Sequence, residues 1–126
     1  MSTTILLAED DEGVRRMMRV LLQHHGDVTV IEAADGREAL LVCEADGLVV
    51  DLVIVDLEMP RMDGAQLVEL LAARPRAPRV LVCSGVGGIE GLPWLAKPFT
   101  PQALRAAVDS ALAGPDVAAL WAASRA

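Results

Sequence analysis

Residues of types that do chemistry together recur at the ends of apolar runs in this sequence. Glu9, Asp10 and Asp11 follow the run at 4–8, Asp56 and then Glu58 follow the run at 51–55, Ser84 follows 79–83, and Lys97 follows 92–96. If the runs that end in Asp10 and Asp56 are neighbouring strands, those two carboxylates converge. Two such charges about 4 Å apart repel by about 4 kcal/mol at an effective dielectric near 20, so the cluster needs a cation, a raised pKa, or both. Hard carboxylate oxygens with room for water suit Mg²⁺, which takes only one or two carboxylates. A lysine and a serine hydroxyl on the same rim would surround a phosphoryl group carried by one carboxylate. Asp56 is the natural nucleophile, because a carboxylate forms an acyl phosphate. Each residue also has a plainer reading. Asp10 or Asp11 could cap a helix, Asp56 could begin a turn, Ser84 could be a small loop residue, and Lys97 a solvated charge. The argument rests on their coincidence at four strand ends.

The elements that must position them alternate along the chain. The apolar run at 4–8 is followed by Val14, Met17, Met18, Leu21 and Leu22, the spacing of a helix with one buried face. His24, His25 and Gly26 close that helix, the histidines reading as partners of its dipole rather than a metal or phosphohistidine pair. A β-branched run at 28–31 is the second strand, and 38–45 a helix entered through Asp35-Gly36. The run at 51–55 lacks polar alternation, as in a strand covered on both faces. A loop over 57–64 leads to a helix marked by Leu67, Leu70 and Leu71; 79–83 and 92–96 are the fourth and fifth strands. Thr100 and Pro101 are N-cap and first-turn residues of a helix with Leu104, Ala107, Val108, Ala111 and Leu112 on one face. Gly114-Pro115 stops it, and 116–124 has the makings of one more short helix. Such alternation implies a parallel sheet with helices on both faces, whose functional groups gather at the carboxyl ends of the strands.

Composition narrows the function. The 126 residues are 53% apolar and 23% charged, enough for one core and too few for two. Eighteen acidic against eleven basic residues give a net charge of −7, the wrong sign for neutralising phosphates. Trp94, Phe99 and Trp121 are the only aromatic residues, too few for a base-stacking platform. Apolar runs fall far short of the ~20 residues that span a bilayer, so neither nucleic acid nor membrane is an expected partner. Cys43 and Cys83 sit in apolar stretches without CxxC spacing and read as reduced core residues. With no charged-then-apolar leader at the start, the expectation is a cytoplasmic protein.

Four stretches carry a family resemblance: ILLAEDDE at 5–12, DLVIVDLEMPRMDG at 51–64, VLVCSG at 80–85 and KPFT at 97–100. Over roughly residues 3–113 the chain resembles the receiver domain of two-component response regulators. The resemblance implies a flavodoxin-like, doubly wound five-stranded parallel sheet of order 2-1-3-4-5, with residues 1–114 as the receiver domain and 115–126 as a C-terminal tail. It implies that Asp56 accepts a phosphoryl group from a phosphohistidine of a sensor histidine kinase or phosphotransfer protein. It also implies Mg²⁺ as cofactor, held by Asp10, Asp56 and the backbone carbonyl of Glu58, with Glu9 acting indirectly or through water. Ser84 and Lys97 match the hydroxyl and the ammonium that meet the phosphoryl oxygens, and Lys97-Pro98 the bond that is cis in such domains. Trp94, three residues before the lysine, matches a switch aromatic that turns when Ser84 moves; the plainer reading is a ring packed under the last helix. The donor would dock on the first helix, at Arg15, Arg16 and Met18, unless the two arginines are only solvated charges. No enzymatic activity is implied beyond the domain's own phosphorylation and dephosphorylation.

One segment departs from that pattern. Residues 85–93 hold four glycines and a proline, and a parallel crossover with its helix usually needs at least about a dozen residues. The fourth helix of such domains is therefore expected to be shortened or replaced by a glycine-rich loop, which puts the usual output face in doubt. A nucleotide loop is not expected there, since no Lys-Ser/Thr follows. Two other functions compete. A receiver-like interaction module acting without phosphorylation would suit the altered segment, but no site residue is missing. An aspartate-nucleophile phosphatase would want a second Asp where Glu58 stands, and a flavin carrier would want a phosphate cradle where Glu9 to Glu12 repel one.

Overall fold

The strands alternate their side chains between two apolar layers, and that alternation builds the molecule. The computed structural model describes residues 2–24 and 26–125; His25, expected at the end of the first helix, lies outside them. The elements are β1 (Thr3–Ala8), α1 (Glu12–Gln23), β2 (Val28–Ala33), α2 (Gly36–Glu44), β3 (Leu52–Val55), α3 (Gly64–Ala72), β4 (Arg79–Ser84), β5 (Trp94–Ala96), α4 (Pro101–Ala113) and α5 (Val117–Ser124). The sheet is parallel throughout, in the order β2-β1-β3-β4-β5. This is the flavodoxin-like doubly wound sheet expected from the sequence.

Ile5 and Leu7, Leu52 and Ile54, and Leu81 and Cys83 point to the face covered by α1 and α4, where they meet Met18, Leu22, Leu104 and Val108. Leu6 and Ala8, Val53 and Val55, and Val80 and Val82 point to the other face, against Leu67, Val68 and Leu71 of α3 and Val117 of α5. Both faces of β3 are thus buried, and a one-residue slip of register would exchange the two layers. Each helix begins on a side-chain cap: Asp11, Asp35, Asp63, Thr100 and Asp116 each accept the backbone N–H three residues on.

Two faces differ in phase from the sequence reading. On α1, Met18 and Leu22 are buried, but Met17 is 50% exposed, because it lies at the margin of the stripe centred on Val14, Met18 and Leu22. On α3, Val68 is buried with Leu67 and Leu71, whereas Leu70 faces outward.

Between β4 and β5 there is no helix. A loop over 85–93 makes the crossover, with left-handed backbone at Gly87 and Gly91, conformations that favour glycine. The face this leaves open is covered from elsewhere in the chain. After α4 the backbone passes beneath the amino end of β4, where Arg79 Nε donates to the Gly114 carbonyl at 2.9 Å and the Val117 amide donates to the Pro78 carbonyl at 2.9 Å. It then forms α5 on the opposite layer, against α3 and the 85–93 loop. Val117 is fully buried there, and Leu120 and Trp121 pack on the same cluster as Ile89 and Leu92. Helix α5 stands where a crossover helix between β4 and β5 would lie.

Candidate functional site

Register brings the acids together. Ala8 pairs with Val55 across β1 and β3, so the residues that follow, Glu9 and Asp56, leave the sheet at the same height; the Asp56 amide donates to the Ala8 carbonyl at 3.0 Å. Glu9, Asp56 and Ser84 are buried, while Asp10 is exposed on the rim. One carboxylate oxygen from each of Glu9, Asp10 and Asp56 lies within 4.8 Å of the others. Asp11 is turned away to its capping task, its Oδ1 accepting the Val14 amide at 2.9 Å. Three acids in sequence are thus divided between two jobs.

Lys97 reaches the same pocket from the end of β5. The Lys97 amide donates to the Ser84 carbonyl at 3.0 Å, and the Lys97-Pro98 peptide is cis. Its Nζ donates to Glu9 Oε1 and stands 3.7 Å from Asp56 Oδ2. Burial pushes the Glu9 carboxyl up to about 7; the Lys97 hydrogen bond opposes this, and Asp56 adds to it. Burial alone would depress Lys97, but the hydrogen bond and charge of Glu9, with the charge of Asp56, outweigh it and raise its pKa. Burial likewise pushes the Cys83 thiol up to about 11, as befits a core residue.

Glu58 stands at the pocket edge, its amide donating to Asp56 Oδ1 at 3.2 Å. Ser84 Oγ accepts the Val86 amide at 3.0 Å. The Trp94 indole N–H donates to the Ser84 carbonyl at 3.3 Å, and its ring lies on Gly88, where an added Cβ would come within 2.9 Å of it. The residue is 49% exposed, and these contacts hold it beside Ser84.

The first helix needs one correction. Met18, expected on a docking surface, is buried in the core, because it centres the helix's apolar stripe; Met17 and Val20 are its exposed apolar residues. Arg16 is exposed and pairs with Glu12 at 3.0 Å. Arg15 does something the sequence did not disclose. Its Nη1 donates to the Glu9 carbonyl at 2.9 Å and its Nε pairs with Glu32 at 3.1 Å, tying the acidic turn to β2. A second support is Asp35, which caps α2 and pairs with Arg61 at 3.2 Å. Beside it, Gly36 lies so close to the Met62 carbonyl that a Cβ would strike it. Only the Asp-Gly pair hinted at this, and it reads equally well as an ordinary helix start.

The pocket is a cluster of hard oxygen donors with one lysine, at the carboxyl ends of β1, β3, β4 and β5, suited to a divalent cation beside a phosphoryl group. The sequence model of the response regulator receiver domain matches residues 5–109. The chain belongs to that family. This receiver domain is 32% identical over 116 residues to "Probable transcriptional regulator ycf27" of Pyropia yezoensis, covering 86% of the chain and 46% of that protein. It is 47% identical over 70 residues to the sensor kinase CckA of Brucella abortus, covering 56% of the chain and 7% of the kinase. The solved chemotaxis response regulator CheY4 of Vibrio cholerae superimposes with a TM-score of 0.77 at 28% identity, over 88% of this chain and 99% of that one. The chain spans less than half the length of those two curated relatives. It is a receiver domain of two-component signal transduction. Among the described residues, no helix is long and apolar enough to cross a membrane.

Proposed function

We propose that Asp56 is the phosphoacceptor of this receiver domain and that the phosphoryl donor is a phosphohistidine of a sensor histidine kinase or phosphotransfer protein. The observation that carries the reading is the convergence of Asp56 with Glu9, Asp10 and Lys97 at the carboxyl ends of the strands. An Asp56 carboxylate oxygen attacks phosphorus, the P–N bond to the histidine breaks, and the imidazole leaves with a proton from solvent. Asp10 and Asp56, with the Glu58 carbonyl, would hold Mg²⁺, and Glu9 would act through water; the ion, when bound, neutralises charge on the transferring group. Lys97 supplies the fixed positive charge on the other side, moving from Glu9 toward the phosphoryl oxygens as charge builds at Asp56. The Ser84 hydroxyl donates to a phosphoryl oxygen while its oxygen still takes the Val86 amide, and the loop it anchors follows, with Trp94 as its reporter.

Catalysis by the domain is confined to its own phosphorylation and hydrolysis. The exposed face of α1, with Arg16, Met17 and Val20, is the surface we assign to the donor, and the output is a change in partner binding. A cytoplasmic setting agrees with the free thiols of Cys43 and Cys83. Intact mass after incubation with acetyl phosphate tests the reading. A Mg²⁺-dependent phosphoryl adduct is expected on the wild type and not on Asp56→Ala. Absence of both this adduct and a beryllofluoride complex in the wild type would overturn it.

A further inference from the structure

We propose that α5 is a movable strap whose docking is thermodynamically linked to the state of Asp56, so that this C-terminal helix, from outside the 5–109 region that matches the family, carries the output of the domain. The proposal rests on the phosphoacceptor reading above.

Three observations support it. First, α5 holds a place that its own chain segment reaches only by looping under the sheet. Its hinge is three residues long, Gly114 to Asp116, between two regular helices. Second, an eight-residue helix is unstable alone, and α5 buries only Val117 completely, with Leu120 and Trp121 half-covered. Elements with so little buried surface open at low free energy. Third, part of the seat is the loop that leaves the site. Ser84 Oγ fixes Val86, the Trp94 ring lies on Gly88, and Ile89 and Leu92 pack in the cluster that α5 covers. Gly91 is held so close to α5 that an added Cβ would lie 2.5 Å from Ser124 Cβ.

Ser84 Oγ accepts the Val86 amide, so when the hydroxyl turns to donate to a phosphoryl oxygen the Val86 end of the loop is drawn with it, and the short loop between it and Gly91 has no helix of its own to absorb the shift. The seat then changes shape and α5 loses contact. Linkage works both ways with the same factor: docked α5 holds Ser84 in its resting geometry, and removing α5 contacts favours the phosphoryl-like state.

Amide hydrogen exchange of the whole chain, with Mg²⁺ alone and with Mg²⁺ plus beryllofluoride, reads the first direction. The Val117 amide, bonded to Pro78, and the amides of 120–124 are expected to exchange at least about fivefold faster in the complex. Beryllofluoride titrations of Trp121→Ala and Leu120→Ala, both on α5, read the second, with binding tightened by up to the same factor; unchanged exchange in β1 and β3 shows that each variant remains folded. Unchanged or slower exchange in α5 on formation of the complex, or unchanged affinity in both variants, overturns the linkage while leaving Asp56 as acceptor. Failure of the wild type to bind beryllofluoride overturns both.

Discussion

The Lys97 ammonium rests on the Glu9 carboxylate and stands 3.7 Å from Asp56 Oδ2, so one positive charge serves two acids and leans on the more deeply buried of them. An isolated buried carboxylate is costly, and removing its partner leaves that cost uncompensated. The lysine therefore has a structural task beside the chemical one proposed for it.

Lys97→Ala should lower stability by about 1–2 kcal/mol without metal at pH 8, above the titration of Glu9, where the carboxylate would be left charged and unpaired. Urea unfolding in EDTA measures it. Mg²⁺ should recover part of the loss in the variant, because the ion supplies the missing positive charge. No destabilisation in EDTA would contradict the pairing with Glu9.

Glu9 sets a pH dependence of the metal-free protein. Its carboxyl stays protonated to about pH 7 in the folded state, against an ordinary value of 4.5. Between those values the folded state binds more protons than the unfolded chain, so stability falls as pH rises. The contribution is complete below 4.5 and is lost as pH passes through about 7. Urea midpoints from pH 4.5 to 8 in EDTA should decline, and Glu9→Gln should flatten the decline.

Asp10 and Asp11 separate binding from folding. Asp11 caps α1, so Asp11→Ala should cost about 1 kcal/mol and leave Mg²⁺-dependent phosphorylation intact. Asp10 is exposed and belongs to the acidic cluster, so Asp10→Asn should weaken Mg²⁺ binding by at least about tenfold with little change in stability. Isothermal titration with Mg²⁺ and thermal melts of both variants check the division. The converse pattern would exchange the two assignments.

The convergence of the candidate site was legible in outline because its residues stand at strand ends, and runs such as 51–55 mark those ends. The crossover without a helix was legible too, since four glycines in 85–93 leave no helical material. Contacts between distant segments were not. Nothing in the local pattern of 116–124 says that Val117 and Trp121 fill the place of a helix missing some thirty residues earlier; α5 is apolar on several sides, so periodicity could not name its buried face. Arg15 read as a docking residue or a solvated charge because its partners, the Glu9 carbonyl and Glu32, lie on other elements. Met18 was counted both on the buried face and on the docking surface, and with methionines at 17 and 18 the pattern left open which of the two faces outward; it is Met17.

The central claim is that Asp56 carries the phosphoryl group. Borohydride reduces an aspartyl phosphate to homoserine, which marks the modified residue in a peptide map. The protein treated with acetyl phosphate and Mg²⁺, then reduced, should yield homoserine at position 56 alone, and none when Mg²⁺ is withheld. Homoserine at Asp10 or another acid with Asp56 intact, or a map with no conversion despite a bound phosphoryl group, would contradict the account.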